Sequence, residues 1–177
     1  MGKTNPRRNF LAQSAKIGAL AVLGMSPIFG ARAAQNIQKG AKMKTHNGVN
    51  FFQVSGAIGK AQSAFGYSAA VQIGNIIKIA GQGGWDKNFN FPHKILKDEI
   101  AQALDNVGLV LKSAGATWGD VYSVTAYFTE INEAVAAQLS DFLKKNCPQQ
   151  PILTSLKVAG LGHPSMRVEI VVEAMKK

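Results

Sequence analysis

Charged residues in the last strand-like segment of the chain are the first candidates for chemistry. Residues 166–174 alternate between two faces of a strand. The apolar face holds Val168, Ile170, Val172 and Ala174. The mixed face holds Arg167, Glu169, Val171 and Glu173. The mixed face is neither a plain core nor a plain solvent surface, and it predicts burial against other subunits, with polar clefts where they meet. Carboxylates and cations in such clefts can bind polar ligands or simply pair with one another.

The other residue types that often carry chemistry do not form a recognisable site. Residues 81–84 are glycine-rich but are not a phosphate loop, because no Lys-Ser/Thr follows them and no parallel strand–helix unit frames them. His46, His93 and His163 are scattered without ligand spacing, so neither a metal site nor a cofactor is predicted. The lone Cys147 precedes a proline near a helix end and is predicted to be a structural thiol.

Hydrophobic periodicity predicts the elements that would position these residues. Two helices are predicted, one over residues 94–114 and one from about Ile131 to just before Pro148, because their apolar residues recur at steps of three and four. Strands are predicted from β-branched or alternating runs at residues 51–54, 69–73, 75–82, 121–129, 152–159 and 166–174. Two amphipathic helices are enough to cover one face of such a sheet, so the chain is predicted to be an α+β protein.

The first 33 residues differ in composition from the rest of the chain. They hold five basic residues and no acidic one, and Arg7-Arg8 is followed by Phe-Leu, a weakly apolar run of 13 residues and the sequence Ala31-Arg32-Ala33. This order resembles a twin-arginine export signal, and it predicts export to the periplasm through the twin-arginine machinery. A basic amphipathic helix and a signal that stays uncut are the alternatives. The apolar run is too short to span a bilayer, so no stable membrane anchor is expected. Residues 34–50 are polar and are predicted to form a flexible linker.

Eight short segments are spread over residues 58–177: Phe65-Gly66-Tyr67, Ala80-Gly81-Gln82, Leu104-Asp105-Asn106-Val107, Ala114-Gly115-Ala116, Gly119-Asp120-Val121, Pro151, Val158-Ala159-Gly160-Leu161 and Val168-Glu169-Ile170. In sequence and in order they resemble the RidA/YjgF family of small imine and enamine deaminases. Residues 81–86 also resemble a subgroup with a Gly-Gly-Trp-Asp loop. The resemblance implies a domain over residues 51–177 with a single mixed β-sheet and two helices packed on one face, as in chorismate mutase-like folds. It also implies a homotrimer whose sheets form a central barrel.

The resemblance further implies a small-molecule cleft at each subunit interface. Active members of the family hydrolyse imines such as 2-iminopropanoate to ammonia and a keto acid. Glu169 matches the family's glutamate that holds or activates the water, and Tyr67 matches its pocket tyrosine. The family's arginine clamp for the substrate carboxylate lies two residues after a proline that matches Pro151, where this chain has Leu153. A leucine cannot pair with a carboxylate, so a different substrate is expected.

Six further residues are assigned to substrate binding by this resemblance or by their place beside the matching residues: Leu153, Trp85, Gln82, Lys157, Arg167 and Gln138. Lys157 lies four residues from Leu153, and Arg167 lies two residues from Glu169, so each shares a strand face with its neighbour. Either cation could replace the missing clamp, or could instead pair with Glu169 at a subunit contact. Trp85, in its glycine-rich loop, is expected to be a lid over the cleft or a hydrophobic plug.

Three functions are compatible with these residues. The first is an exported Rid-family hydrolase acting on an imine or enamine other than the usual carboxylate-bearing one. The second is a non-catalytic trimer that binds a small molecule. The third, ribonuclease or RNA binding, is disfavoured because residues 34–177 hold 15 basic and 10 acidic residues and no interleaved basic and aromatic stripe. No nucleic-acid partner is therefore expected.

Overall fold

The structure is a computed structural model that describes residues 42–177, apart from the side chains of Lys42 and Ala57. The predicted export signal and the first part of the predicted linker lie outside these residues. The strands in the described part are β1 (Lys42–His46), β2 (Val49–Gln53), β3 (Ala70–Ile73), β4 (Ile76–Gly83), β5 (Val121–Phe128), β6 (Ile152–Lys157) and β7 (Val168–Met175). The α-helices are α1 (Gly56–Phe65), α2 (Leu96–Ser113) and α3 (Glu133–Asn146), and a short 3-10 turn, Trp118–Asp120, precedes β5.

The seven strands form one mixed sheet in the order β1-β2-β3-β4-β7-β5-β6. Neighbouring strands are antiparallel except β5 and β6, which are parallel. A parallel pair needs a crossover connection, and α3 supplies it between these two strands. The predicted α+β fold with a single mixed sheet is confirmed.

The hydrophobic core lies between the sheet and the helices. On β7 the predicted alternation is confirmed, since its apolar face is fully buried, with Val168, Ile170, Val172 and Ala174 all at 0% exposure. From α2 the core receives Ile100, Ala103, Leu104, Val107, Val110 and Leu111, and from α3 it receives Val135, Leu139 and Leu143. The apolar stripes of the helices, which repeat every 3.6 residues, and the apolar face of β7, which repeats every two residues, are therefore buried in the same core.

A third helix, α1, was not predicted, since only two helices were expected. Its sequence is rich in alanine, glycine and serine and carries few large apolar residues. Gly59 lets this helix approach the end of β2, because a Cβ at this position would overlap the carbonyl group of Val54. Buried Gln62 then accepts a hydrogen bond from the Val54 N–H at 2.9 Å and donates to the Phe52 carbonyl at 3.3 Å. Besides buried Ile58 and Ala61, close backbone approach and one buried amide hold α1, and these two features produce no hydrophobic period.

The folded part begins earlier than the predicted linker boundary at residue 50. β1 pairs with β2 across the turn Asn47-Gly48, and both turn residues have positive φ, 49° and 76°. A two-residue turn with left-handed backbone at both positions suits Asn-Gly, because these residues tolerate that conformation best. The polar composition of β1 reflects its exposed position at the sheet edge rather than a linker.

The opposite edge of the sheet is apolar and open. β6 is exposed along its whole length, with Ile152 at 70% and both Leu153 and Leu156 at 44% exposure. An edge strand of this kind is a surface that proteins usually cover. In residues 42–177, none of the helices has the length and apolar character needed to cross a membrane.

Candidate functional site

A cavity of about 430 Å³ lies between α1, the end of β4, the loop before α2 and the start of β7. Six of its lining residues have rings: Phe65, Tyr67, Trp85, Phe89, Phe91 and His163. The other lining residues are Ala61, Ala80, Gly81, Gly162, Met166 and Glu169. The volume suits a small molecule, and mostly apolar linings with few polar groups are typical of ligand sites.

Glu169, on β7, is the only carboxylate in this lining. It lies over the backbone of Gly81 on β4, because a Cβ there would come within 2.6 Å of the Glu169 carboxyl carbon and closer still to Oε1. The register between β4 and β7 shifts from Ile79 to Gln82, and such irregularities often re-aim side chains beside functional sites. Burial raises the pKa of Glu169, since removing water disfavours the charged form.

Tyr67 lies close to Glu169 in the same cavity. It follows α1, which ends at Gly66 in the left-handed conformation, and the N–H groups of both residues donate to the Gln62 carbonyl at 2.8 and 3.2 Å. Burial raises the pKa of Tyr67, and the negative charge of Glu169 adds to this effect. The phenol therefore keeps its proton at neutral pH and can donate a hydrogen bond next to the carboxylate.

The loop after β4 forms an aromatic wall. Trp85 stacks on Phe89 with ring centroids 5.0 Å apart and meets the edge of Phe91 at 6.3 Å, and Phe91 stacks on the His163 ring at 4.7 Å. Trp85 is 7% exposed, and its buried indole N–H has no hydrogen-bond partner within residues 42–177. The wall is pinned to α2, because the Asn106 amide donates to the carbonyls of Gly83 and Trp85 at 2.8 and 3.0 Å.

The glycines before Trp85 are explained by close packing. A Cβ at Gly83 would lie 2.8 Å from the Met166 methyl and 3.0 Å from the Trp85 ring. A Cβ at Gly84 would lie 2.5 Å from the carbonyl oxygen of Glu99 on α2. Each glycine therefore lets the loop pass a neighbour at a distance that a side chain would prevent.

Arg167 does not line the cavity but binds the scaffold. Its Nε donates to Glu99 Oε2 at 2.7 Å, and its backbone N–H donates to Glu99 Oε1 at the same distance. Its two Nη atoms donate to the carbonyls of Lys94 and His93 at 3.2 and 2.8 Å. Glu99 is 1% exposed, so this guanidinium neutralises a buried charge and ties the start of β7 to α2. The arginine that was expected to be a possible replacement clamp is therefore already engaged.

The remaining predicted site residues lie outside the lining of this cavity. Gln82 is fully buried, and its amide donates to the Ala80 carbonyl at 2.7 Å. Gln138 donates to the Lys97 carbonyl at 2.7 Å and so joins α3 to the start of α2. Leu153 and Lys157 lie on the exposed strand β6. The structure thus brings Glu169, Tyr67 and Trp85 together and places the other five candidates elsewhere within the single chain.

Sequence reasoning missed most of the aromatic lining. Phe89 and Phe91 lie in the predicted loop between β4 and α2. Large apolar residues in a loop indicate that the loop packs over another part of the molecule, so this pair could have been used to predict the site. Met166 and His163 come from the loop before β7, and nothing in their local sequence indicates a site. Among residues 42–177 no group of three or more His, Cys, Asp or Glu side chains is arranged to hold a metal ion.

Comparison with known proteins gives consistent matches. A family model described as Endoribonuclease L-PSP matches residues 51–176. The chain is 33% identical over 121 residues to the human protein named 2-iminobutanoate/2-iminopropanoate deaminase, covering 66% of this chain and 85% of that protein. It is 37% identical over 68 residues, 38% of this chain, to a RutC family protein of Pyrococcus horikoshii, and there the match spans only about half of the relative, 54% of its length.

Solved structures match the fold. A Mycobacterium tuberculosis protein, described as a member of the highly conserved YjgF/YER057c/UK114 family, superposes with a TM-score of 0.57 and 28% sequence identity. The superposition covers 68% of this chain and 96% of that one.

Proposed function

We propose that this chain, which belongs to the RidA/YjgF family, hydrolyses the C=N bond of a reactive imine and releases ammonia. An enamine substrate would react through its imine tautomer. The observation that carries the proposal is the placement of Glu169 beside Tyr67 in one aromatic-lined cavity. A relative named for imine deamination supports this reaction type. We further propose that the substrate lacks the carboxylate of 2-iminopropanoate.

The cavity residues can perform the proton transfers that this hydrolysis needs. Water attacks the carbon of the protonated imine, the C=N electron pair moves to nitrogen, and the Glu169 carboxylate accepts the proton from water. Protonated Glu169 then donates this proton to the amino group of the carbinolamine. The C–N bond breaks with its electron pair going to the leaving ammonia, and the hydroxyl passes its proton to the Glu169 carboxylate as the carbonyl forms. A raised pKa suits Glu169 to this role, because it makes the carboxylate a stronger proton acceptor than an exposed glutamate.

Tyr67 would position the reacting groups rather than move the proton. Its raised pKa keeps the phenol protonated, so it can donate a hydrogen bond to the attacking water or to the oxygen of the carbinolamine. Orientation of this kind contributes to rate because it replaces a chance encounter by a fixed geometry.

The substrate class is proposed from the arginine count. Residues 34–177 contain one arginine, Arg167, and it is bound to buried Glu99. Assembly of several identical copies would not add a free arginine, since each copy uses its own in the same way. Leu153 stands at the position where the family resemblance expects the clamp. A carboxylate would therefore lack the bidentate partner that arginine offers.

We do not propose ribonuclease activity for this chain, although the matching family model is described as Endoribonuclease L-PSP. RNA binding depends on basic groups that neutralise phosphates, and the cavity lining contributed by this chain has neither Lys nor Arg. Salt-insensitive, negligible RNA binding by the purified protein is the expected result.

An ammonia-release assay on freshly generated imines tests the proposal. Imines without a carboxylate should be turned over, and Glu169→Gln should lower kcat/KM about 100- to 10,000-fold because it removes the proton acceptor. Glu173→Gln, on the same face of β7 but outside the cavity lining, is the matched control and should keep the activity. Equal turnover by wild type and Glu169→Gln would refute the assignment. Leu153→Arg should gain activity on 2-iminopropanoate.

Assembly and export are separate parts of the proposal. The open apolar edge at β6, with Ile152, Leu153 and Leu156 exposed, supports a homotrimer in which a second copy covers this surface. Sedimentation equilibrium should give three times the chain mass. Residues 1–33 support export through the twin-arginine pathway, and Arg7→Lys with Arg8→Lys should leave the protein in the cytoplasmic fraction.

A further inference from the structure

We infer that the cavity selects a ligand with a positively charged nitrogen and an apolar substituent, holding the cation among aromatic rings with Glu169 as its counter-ion. This inference rests on the proposed function, because it concerns the same cavity, and it names the substrate class. The ligand would be the protonated imine of an apolar aldehyde or ketone, or the related amine.

The first support is the concentration of rings around one space. Trp85, Phe89, Phe91 and His163 form a connected series, with neighbouring centroids between 4.7 and 6.3 Å apart, and Tyr67 and Phe65 line the same cavity. The face of an aromatic ring attracts a cation within about 6 Å of its centroid, and tryptophan does so most strongly. Burial strengthens this attraction, and Trp85 is nearly fully buried.

The second support is the charge of the lining. Glu169 is its one acidic residue, and the lining that this chain contributes has neither Lys nor Arg. Burial lowers the pKa of His163, so this ring is neutral at pH 7 and adds no positive charge. A bound cation would meet an opposite charge, whereas a bound carboxylate would meet a like charge in a poorly solvated site.

The third support is that the glutamate lacks a cation of its own. The Glu169 side chain makes no ion pair or hydrogen bond with any other residue of the described part, 42–177, and burial alone raises its pKa. Buried ionised carboxylates normally have a partner. A positively charged ligand would supply that partner and would relieve the cost of ionising Glu169.

The size of the cavity fits the apolar part of such a ligand. About 430 Å³ accommodates a benzene-sized group and a small polar head, and small ligand sites usually begin at about 300 Å³. Met166, Phe65 and Ala61 offer apolar contact for the substituent. A small, strongly hydrated ion such as ammonium would leave most of this surface uncovered.

A charge series of similar molecules tests the inference by titration calorimetry on the full chain. Benzamidinium, benzamide and benzoate share a benzene ring and a planar three-atom head, and they carry charges of plus one, zero and minus one. We expect benzamidinium to bind at least about tenfold more tightly than benzamide, in line with a desolvated cation–π contact plus a counter-ion, and benzoate to bind most weakly. Benzoate binding as tightly as benzamidinium, equal affinity for all three, or no benzamidinium binding would each overturn the inference.

Substitutions locate the effect. Glu169→Gln should bring the benzamidinium-to-benzamide affinity ratio close to one, and Phe91→Leu should lower it severalfold while the protein keeps its circular dichroism spectrum. Glu173→Gln is the matched control and should leave the ratio unchanged. A ratio that survives Glu169→Gln would contradict the role of this carboxylate as counter-ion.

These measurements separate the inference from the proposed function. If the affinity order holds but no imine releases ammonia, the cavity is a cation-binding site and the hydrolase proposal fails. If imines are hydrolysed but the three probes bind equally, the hydrolase proposal holds and the charge selectivity is refuted.

Discussion

Two carboxylates, the buried Glu99 on α2 and the half-buried Glu169 on β7, show how differently the same side chain can be used. Both oxygens of Glu99 accept hydrogen bonds at 2.7 Å from Arg167, whose guanidinium also binds the carbonyls of the loop before α2. Glu169 has no such partner in the described part of the chain and lines the aromatic cavity instead. The only arginine of residues 34–177 thus stabilises the scaffold, and the cavity keeps a carboxylate without a fixed cation.

A third carboxylate, Glu173, shows that the surroundings of a glutamate decide the direction of its pKa shift. Glu173 lies four residues after Glu169 on the same face of β7, where it accepts a hydrogen bond from the Tyr122 hydroxyl at 2.5 Å and pairs with Lys78 at 2.9 Å. These contacts lower the pKa of Glu173, whereas burial raises the pKa of Glu169. Residue type and strand face are the same, so the difference comes from burial and from the hydrogen-bond partners.

The largest effect is expected from removal of the arginine. Arg167→Leu leaves Glu99 buried without its charge partner, and it should lower the free energy of unfolding by about 3–5 kcal/mol. Urea denaturation measures this loss. The double variant Glu99→Leu with Arg167→Leu should recover a large part of it, because no unpaired charge remains. A single variant as stable as wild type would show that the pair is not structural.

A smaller loss of stability is expected from Gly84→Ala. The new methyl group would lie 2.5 Å from the carbonyl oxygen of Glu99, and a helix backbone yields little. Overpacking of this kind should lower the free energy of unfolding by about 1–3 kcal/mol, measured by urea denaturation. An unchanged midpoint would mean that the loop can move away from α2.

Gly81→Ala is the matched change next to Glu169, as Gly84→Ala is next to Glu99. Here the three atoms nearest to the new methyl group all belong to the side chain of Glu169, which can rotate away. Stability should stay within about 0.5 kcal/mol of wild type, but imine hydrolysis should fall about tenfold or more because the carboxylate is displaced. Ammonia release and thermal unfolding measured together check this prediction. A variant with full activity would show that the position of Glu169 over Gly81 is unimportant for turnover.

The smallest effect is a pH-dependent gain in stability from Glu169→Gln. A carboxyl whose folded pKa is raised stabilises the protein only below its unfolded pKa, and this contribution is lost as pH rises through the folded pKa. The variant should therefore melt about 1–2 °C higher than wild type at pH 7, and the difference should shrink at pH 4. Tyr67 and His163, with ordinary pKa values of 10.0 and 6.5, are the other titratable groups of the cavity. Only the ordinary value of His163 lies between pH 4 and pH 7, and this ring is present in wild type and variant alike. A lower melting temperature for the variant at pH 7 would mean that Glu169 stabilises the fold.

Local patterns accounted for most of the elements. The alternation in β7 and the apolar stripes of α2 and α3 were readable because each reflects burial of one face against one core. The hairpin of β1 and β2 was missed although Asn47-Gly48 is a strong turn signal, since the surrounding residues are polar. Helix α1 was missed because its buried apolar face is small, and the close approach at Gly59 and the hydrogen bonds of Gln62 add no hydrophobic period.

Only part of the site could be predicted from the amino-acid sequence. Glu169, Tyr67 and Trp85 were found through family resemblance, and they do share one cavity. Arg167 was predicted to be a possible clamp, and its true partner, Glu99, is 68 residues away. No periodicity links two residues so far apart in the chain, so the engagement of this arginine was not visible before the fold was known.

By itself, the amino-acid sequence determined the strands and helices with strong apolar periods, the single arginine of residues 34–177, and the leucine at the expected clamp position. These properties depend on residue type and on short spacings, which need no tertiary structure. Only the tertiary structure decided which carboxylate receives the arginine and which rings surround the other. Burial, pairing and pKa depend on distances between segments that the fold brings together, and that is why two glutamates of the same chain have opposite roles.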